Sequence, residues 1–195
     1  MSASRRDHLV TIAADLFERD GYHATGIDQI LATAGVAKMT LYNHFKSKDE
    51  LIIAALEFRD GLFMAWLEEQ VEATAGATKD ADGKLLAVFD ALEAWCRSDD
   101  FRGCLFVAAI NEYSDRSHPI HVHAAAHKRH IFDYLLSLTQ NSSKSDSRIL
   151  AQQLLVLYEG AISVAHALDA PIAARQARRA AAAIIAAHNK AYLEG

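Results

Sequence analysis

Between Gly35 and Lys48 the chain carries three lysines (Lys38, Lys46 and Lys48) and no acid. Interleaved with them are Met39, Thr40, Tyr42, Asn43 and His44. Together these side chains have the chemistry of nucleic-acid contact. Asparagine pairs bidentately with adenine, and threonine bonds a base edge or offers its methyl to thymine. Lysine, tyrosine and histidine reach phosphates. Spacing then assigns sides. Leu41 and Phe45 stand at i, i+4 and must face inward, which turns Met39, Thr40 and Asn43 outward with Lys38, Tyr42 and His44 flanking them. A short helix built this way fits the major groove of DNA, which admits one helix. Arg5 and Arg6 add charge that can reach the backbone or the minor groove. Asp7, Asp15, Glu18, Asp20 and Asp28 outweigh Arg19 elsewhere in this region, so the basic face is narrow.

A second chemistry is concentrated in the middle of the chain. Five of its ten histidines, His118, His121, His123, His127 and His130, fall in 13 residues. His123, His127 and His130 share one helical face, and His127 also lies on the apolar stripe of Ile120, Ala124, Ile131 and Tyr134. Neutral imidazoles at i, i+4 can bind zinc or a similar ion, with a further ligand from Glu112, Asp115 or His166. No metal site is assigned; His123, His127 and His130 are the residues that would supply one. The two cysteines, Cys96 and Cys104, are expected to be free thiols. No catalytic residue and no cofactor are assigned, because the acids are scattered and no glycine-rich phosphate loop occurs.

The elements that must hold these residues read as helical throughout. Leu9, Ile12, Ala13, Leu16 and Phe17 form the stripe of a first helix, which Gly21 ends. Thr25 with Asp28 reads as the start of a second helix, which Gly35 ends, and the stripe of Val36, Leu41 and Phe45 makes a third. Three short helices with a glycine-bearing turn fit a helix-turn-helix. Ser47 and Glu50 form a capping box that opens a long helix to about Thr74, roughly 40 Å at about 1.5 Å per residue. Residues 74–83 read as a loop. Further helices are expected over Lys84–Arg97, Gly103–Tyr113, Pro119–Thr139, Asp146–Leu168 and Pro171–Leu193, with turns at Ser98–Asp99–Asp100 and Asn141–Ser142–Ser143.

Composition bounds the possibilities. At 195 residues and 51% hydrophobic, the chain is too apolar for disorder and has no uncharged apolar run of about 18 residues, so no membrane span is expected. Residues 1–20 carry charges every few positions and lack a secretory core, so a cytoplasmic location is expected. The net charge of −5 excludes a protein that coats nucleic acid through bulk positive charge.

The stretch Gly21–Tyr22–His23–Ala24–Thr25–Gly26–Ile27–Asp28–Gln29–Ile30, followed by residues 34–51, resembles the TetR family of transcriptional regulators. Gly35–Val36, Leu41–Tyr42, His44–Phe45 and Lys48 through Leu51 are its most telling parts. The resemblance covers roughly the first quarter of the chain. The helical remainder, with Gly103–Cys104–Leu105–Phe106, resembles more weakly the ligand-binding halves of some members. It implies that Thr25, Lys38, Tyr42, His44 and Lys48 touch phosphates while Met39, Thr40 and Asn43 face bases. Ala37 departs from the pattern, because many members carry a serine that caps the recognition helix. A missing cap costs about 1 kcal/mol.

The C-terminal half supplies the rest of the expectation. Leu150, Leu154, Leu155, Val156, Leu157, Ala161, Ile162, Val164 and Ala165 leave one helix apolar nearly all round. The last is alanine-rich. Such a pair suits a four-helix bundle made by two copies, which is also the dimer mode that the resemblance implies. Phe63, Trp66, Phe89, Trp95, Phe106, Asn111, His127 and Tyr158 are the candidate lining of an effector cavity, since aromatics with a few polar tips are what small-molecule pockets use. The reading is an all-α protein. Residues 1–48 form a three-helix DNA-binding domain with a helix-turn-helix, and a long helix joins them to a ligand-binding and dimerisation domain over 49–195. The expected function is a homodimeric repressor, released from a palindromic double-stranded DNA operator by a small molecule. A metal-responsive regulator using His118–His130 is one alternative, and a helical small-molecule-binding protein or enzyme is another.

Overall fold

The computed structural model describes residues 4–76, 81–139, 147–168 and 170–194, and side chains as far as residue 190. All regular structure among the described residues is helical: α1 (Arg5–Asp20), α2 (Ile27–Ala34), α3 (Lys38–Tyr42), α4 (Lys48–Ala75), α5 (Ala81–Cys96), α6 (Leu105–Glu112), α7 (Pro119–Thr139), α8 (Ser147–Leu168) and α9 (Ile172–Glu194). The expected turn at Asn141–Ser142–Ser143, the first residue of the helix expected from Asp146, and residues 77–80 of the expected loop lie outside the described residues.

Local chemistry accounts for most of the boundaries. Ser4 caps α1, its hydroxyl accepting from the Asp7 N–H at 3.1 Å. Gly35 stops α2 in the left-handed region, with φ 65° and ψ 32°, which a side-chain-free residue adopts without penalty. At the head of α4, the Glu50 N–H bonds the Ser47 hydroxyl, while the Glu50 carboxylate accepts from the Lys46 N–H at 2.7 Å. The long helix therefore starts where the capping box placed it. Two expectations are corrected. Thr25 is not the cap of α2: the cap position is Gly26, which makes no side-chain bond, and Thr25 turns the other way. The recognition helix ends at Tyr42, so Asn43 and His44 sit in the turn that follows, although the Asn43 N–H still bonds Met39 C=O and the Phe45 N–H still bonds Leu41 C=O.

The chain divides into two compact units. The first comprises Met1–Phe63 and Cys104–His127. Its core draws Leu9, Val10, Ala13 and Phe17 from α1, Ile30 and Leu31 from α2, and Leu41 and Phe45 from the α3 region. Leu51, Ile52 and Leu56 come from α4, Leu105, Phe106 and Ala109 from α6, and Ile120 and Ala124 from α7. The helix-turn-helix is thus seated on α6 and the start of α7. Each fully buried Leu, Ile or Phe here is worth about 1.5–3 kcal/mol.

The second unit comprises Met64–Gly103 and Lys128–Gly195. In it α5 packs against α8 and α9. Leu85, Val88, Phe89 and Leu92 of α5 are buried, as are Leu150, Leu154, Tyr158 and Ile162 of α8, and Ala174, Ala177, Ala181 and Ile185 of α9. The alanines keep α9 close to its neighbours. Arg175 bonds Glu93 and Arg178 bonds Asp90, each at 2.6 Å, tying α9 to α5 at the edge of that contact. Helix α8 is long and apolar enough to cross a membrane by length and composition alone, but its inward stripe is packed as part of this core.

Candidate nucleic-acid interface

The geometry of α3 follows from its two anchors. Leu41 is fully buried and Phe45 nearly so. With both pinned inside, Met39 is 71% exposed and Tyr42 47%, Lys38, Asn43 and His44 are exposed, and Thr40 is half-buried. An apolar side chain as open as Met39 gains nothing from the core, and it is available for a thymine methyl or a base edge. Ala37 occupies the cap position of α3 without a side-chain bond, so the first turn is held only by backbone, with Thr40 N–H on Ala37 C=O.

Basic groups frame this surface. The Arg6 guanidinium lies over the Phe45 ring at 5.2 Å, which brings the start of α1 beside the end of the recognition turn. Lys48 is half-buried, and its ammonium reaches the His23 carbonyl at 3.5 Å. Thr25 requires a correction. Its side chain is fully buried, with the hydroxyl 2.7 Å from Gly21 C=O and 3.3 Å from Leu16 C=O, so it locks the turn after α1 and is not presented to a phosphate. Of the expected DNA-facing set, the structure brings Lys38, Met39, Thr40, Tyr42, Asn43 and His44 onto one surface and sends Thr25 inside.

These observations agree with the family comparisons. Residues 9–55 match the model described as bacterial regulatory proteins of the tetR family, and residues 81–181 match the tetracyclin repressor-like C-terminal domain. The chain belongs to the TetR family. It is similar to the HTH-type transcriptional regulator YjdC of Escherichia coli K12, with 26% identity over 82% of each chain. It is also similar to the HTH-type transcriptional repressor KstR2 of Mycolicibacterium smegmatis, 38% identical over 47% of this chain and 44% of that one. Among solved structures, SCO4454, a TetR-family regulator from Streptomyces coelicolor, superposes with a TM-score of 0.84 at 31% identity, covering 95% of this chain and 96% of that one. As a TetR-family protein, the chain is a DNA-binding transcriptional regulator.

The expected effector residues divide between the two units. Phe63, Phe106 and His127 meet in the first unit: the His127 ring stacks on Phe106 at 3.7 Å between centroids and takes Phe63 edge-on at 5.4 Å. Phe89 and Tyr158 form a separate edge-on pair in the second unit at 6.3 Å, and Trp95 there packs on Phe101. Trp66 is half-buried in the second unit. Asn111 is exposed on α6, a correction to its assignment as a cavity residue, because the inward face of that short helix is taken by Leu105, Phe106 and Ala109. Two hollows of about 350 Å³ open on the second unit. One lies beside Cys96, Arg97, Phe101 and Arg102; the other is an apolar groove over Val156, Leu157 and Ile184. None of the expected effector residues lines either.

Two histidines of α7, His123 and His127, are matched to carboxylates, and His121 bonds Tyr113 C=O. His123 lies 3.4 Å from Glu57, and His127, only 4% exposed, sets Nδ1 2.7 Å from Asp60. His130 is exposed. Among the described residues no group of three or more metal-ligating side chains converges, and Glu112, a possible further ligand, is engaged by His23 instead. Burial pushes the Cys96 thiol up to about 11, which leaves it protonated and a poor nucleophile near neutral pH. Sequence reasoning missed the roles of Tyr22 and Glu112. They are 90 residues apart, and no local pattern signals their contact.

Proposed function

We propose that this TetR-family protein is a repressor that binds a palindromic double-stranded operator as a homodimer and leaves it when a small molecule binds the C-terminal half. The observation that carries the DNA half of this reading is the exposed set Met39, Tyr42 and Asn43, with Thr40 half-buried among them, held out by the buried pair Leu41 and Phe45. In this reading Met39, Thr40 and Asn43 meet base edges, and Lys38, Tyr42, His44 and Lys48 meet phosphates. Residues 1–48 act as the DNA-binding domain and 49–195 as the effector and dimer domain. Val156, Val164 and Leu168 of α8 and Ile172 of α9 are apolar yet 44–71% exposed in the single chain, which supports these helices as the seam between two copies. Two recognition helices spaced by about 34 Å, or a multiple of it, read the two halves of a palindrome. The effector acts through its preference: it must bind the released form more tightly, since equal affinity for both forms shifts nothing. The protein works as a binding protein, not as an enzyme, in the compartment that holds the DNA.

Selection of a duplex from a random-sequence pool, followed by binding measurements, tests this. A palindromic sequence is expected, with binding abolished by Tyr42→Ala at unchanged folding. Lys48→Ala is expected to weaken binding to all sequences alike and to reduce the slope of log affinity against log salt by about 0.9, the value for one phosphate contact. Equal retardation of every duplex refutes the reading.

A further inference from the structure

Tyr22 is the residue on which the first unit turns. It sits in the short connection between α1 and α2, is fully buried, and is bonded at both of its ends to one helix, α6. Its hydroxyl donates to the carbonyl of Leu105, the first residue of α6, at 3.2 Å. Its backbone N–H donates to the carboxylate of Glu112, the last residue of α6, at 2.9 Å. The next N–H, of His23, donates to the other oxygen of the same carboxylate at 2.6 Å, and His23 Nδ1 lies 2.7 Å from that oxygen. Two successive backbone N–H groups make a concavity that favours an anion, and here the anion is Glu112. Burial alone would push the Glu112 carboxyl up. The bonds from Tyr22 and His23 outweigh it and hold the group below the ordinary carboxylate range.

The rings add rigidity to the same joint. Tyr22 stacks on Phe17 at 5.2 Å and meets Tyr113 edge-on, while His23 stacks on Tyr113 at 4.8 Å. Onward from the joint, Gly21 C=O accepts both the N–H and the hydroxyl of Thr25, two residues before α2, and His23 C=O accepts from Lys48. At the other side of α6, Phe106 is stacked on His127, which is bonded to Asp60 of α4.

We propose that α6 is a strut that sets the helix-turn-helix directly through Tyr22, with Glu112 as the positioning residue, by a path distinct from the continuous backbone of α4. Eight residues of helix span about 12 Å. A body of that length held at both ends by one residue cannot shift without carrying that residue or breaking the charge-assisted bonds that the Tyr22 and His23 N–H groups donate to Glu112. Movement of α6 therefore reaches the start of α2 and Lys48. The consequence for operator binding rests on the DNA-binding reading above; the mechanical coupling does not.

A double-mutant cycle on the full-length protein tests the strut. Phe106→Leu disturbs α6 at its contact with His127, six residues from Glu112. Glu112→Gln keeps the shape but puts an NH2 donor against one of the two N–H groups. With the selected duplex as probe, Phe106→Leu is expected to change affinity by at least about fivefold in the native background, the low end of allosteric coupling, and by less than about twofold beside Glu112→Gln. Hydrogen exchange at the Tyr22 and His23 amides reads the same coupling without DNA. Phe106→Leu is expected to speed it by about tenfold or more, and beside Glu112→Gln to add little. Tyr22→Phe, which removes only the hydroxyl attachment, replaces Glu112→Gln if the latter does not fold. Independent effects on affinity that simply multiply, or amide exchange at residues 22 and 23 indifferent to Phe106→Leu, overturn the proposal. Failure to select any duplex would instead strike the DNA-binding reading, leaving the exchange measurement to decide the strut.

Discussion

Two glycines with positive φ allow the joint at Tyr22 to be weighed. Gly35 has φ 65° and ψ 32°, and nothing lies within 4 Å of where a Cβ would project. For Gly35→Ala the only native-state cost is the left-handed backbone, about 1–2 kcal/mol. The reduced entropy of the unfolded chain offsets about 0.4–1 kcal/mol of it. A net loss near 1 kcal/mol is expected. Gly21 has φ 87° and ψ 164°, a region that is essentially restricted to glycine, where strain runs to about 3 kcal/mol. A Cβ there would also stand 3.1 Å from Glu112 Oε1, so the carboxylate must retreat from the Tyr22 N–H by a few tenths of an ångström. Hydrogen bonds to a charged group contribute about 1.5–3 kcal/mol, and losing part of one adds about 1 kcal/mol. Gly21→Ala is therefore expected to cost about 3–4 kcal/mol, some 2–3 more than Gly35→Ala. Beside Glu112→Gln, where the bond is already weakened, the gap should narrow by about 1 kcal/mol. Urea unfolding of each variant at one fixed protein concentration measures this, because a dimer's stability depends on concentration. Equal losses for the two glycines, within about 0.5 kcal/mol, would refute the reasoning that the turn after α1 is clamped.

Three further outcomes follow from the same geometry. Leu41→Ala should cost about 2–5 kcal/mol of stability, as emptying a fully buried leucine site does, while Met39→Ala should stay within about 0.5 kcal/mol and alter the sequence recovered in duplex selection. Burial raises the Tyr22 phenol well above its ordinary pKa, so its contribution is complete below about pH 10 and is lost above it by up to about 1.4 kcal/mol per pH unit. Urea titrations at rising pH should show that loss reduced in Tyr22→Phe, with Tyr134, raised to about 12, left to contribute its own. Glu112 is shifted the opposite way. Its contribution is present above the ordinary carboxylate pKa of about 4.3 and disappears as pH falls through its lowered value, so the acid limb of the stability profile should be flatter in Glu112→Gln.

What was legible in the sequence is what short spacing controls. Leu41 and Phe45 at i, i+4 dictate which side of α3 is wet, and Gly35 and Ser47 mark helix ends through groups within four residues of them. Thr25 shows where that logic stops. Its hydroxyl has two choices, the next helix or the preceding turn. It takes the turn, bonding Gly21 C=O, in a connection that is tied to α6 some 80 residues away through Tyr22. The recognition helix ends at Tyr42, sooner than its stripe suggested, yet Phe45 keeps the face of Leu41 because its N–H still bonds Leu41 C=O. The effector residues were least legible. Aromatic content says that a ring will be buried somewhere, but whether Phe106 meets His127 or Tyr158 depends on helix crossings that no spacing records.

The histidine cluster shows how one pattern acquires a different meaning once its partner helix is known. Read along α7 alone, His123, His127 and His130 look like a ligand face. Read against α4, His123 and His127 join His118 as half of a seam: His118 stands 3.8 Å from Asp49, His123 3.4 Å from Glu57 and His127 2.7 Å from Asp60, the numbers rising together as in two helices running the same way. The exposed members of such a seam are worth little individually, since solvent screens them. The buried one is different. His127 is flanked by Phe63 and Phe106 while it bonds Asp60, so breaking that pair would strand the imidazole in an apolar setting. The seam therefore concentrates its energy at the point where α4, α6 and α7 meet. That junction is also where α6, the strut that ends on Tyr22, takes its support, so the residue that looked most like a metal ligand instead braces the first unit from within.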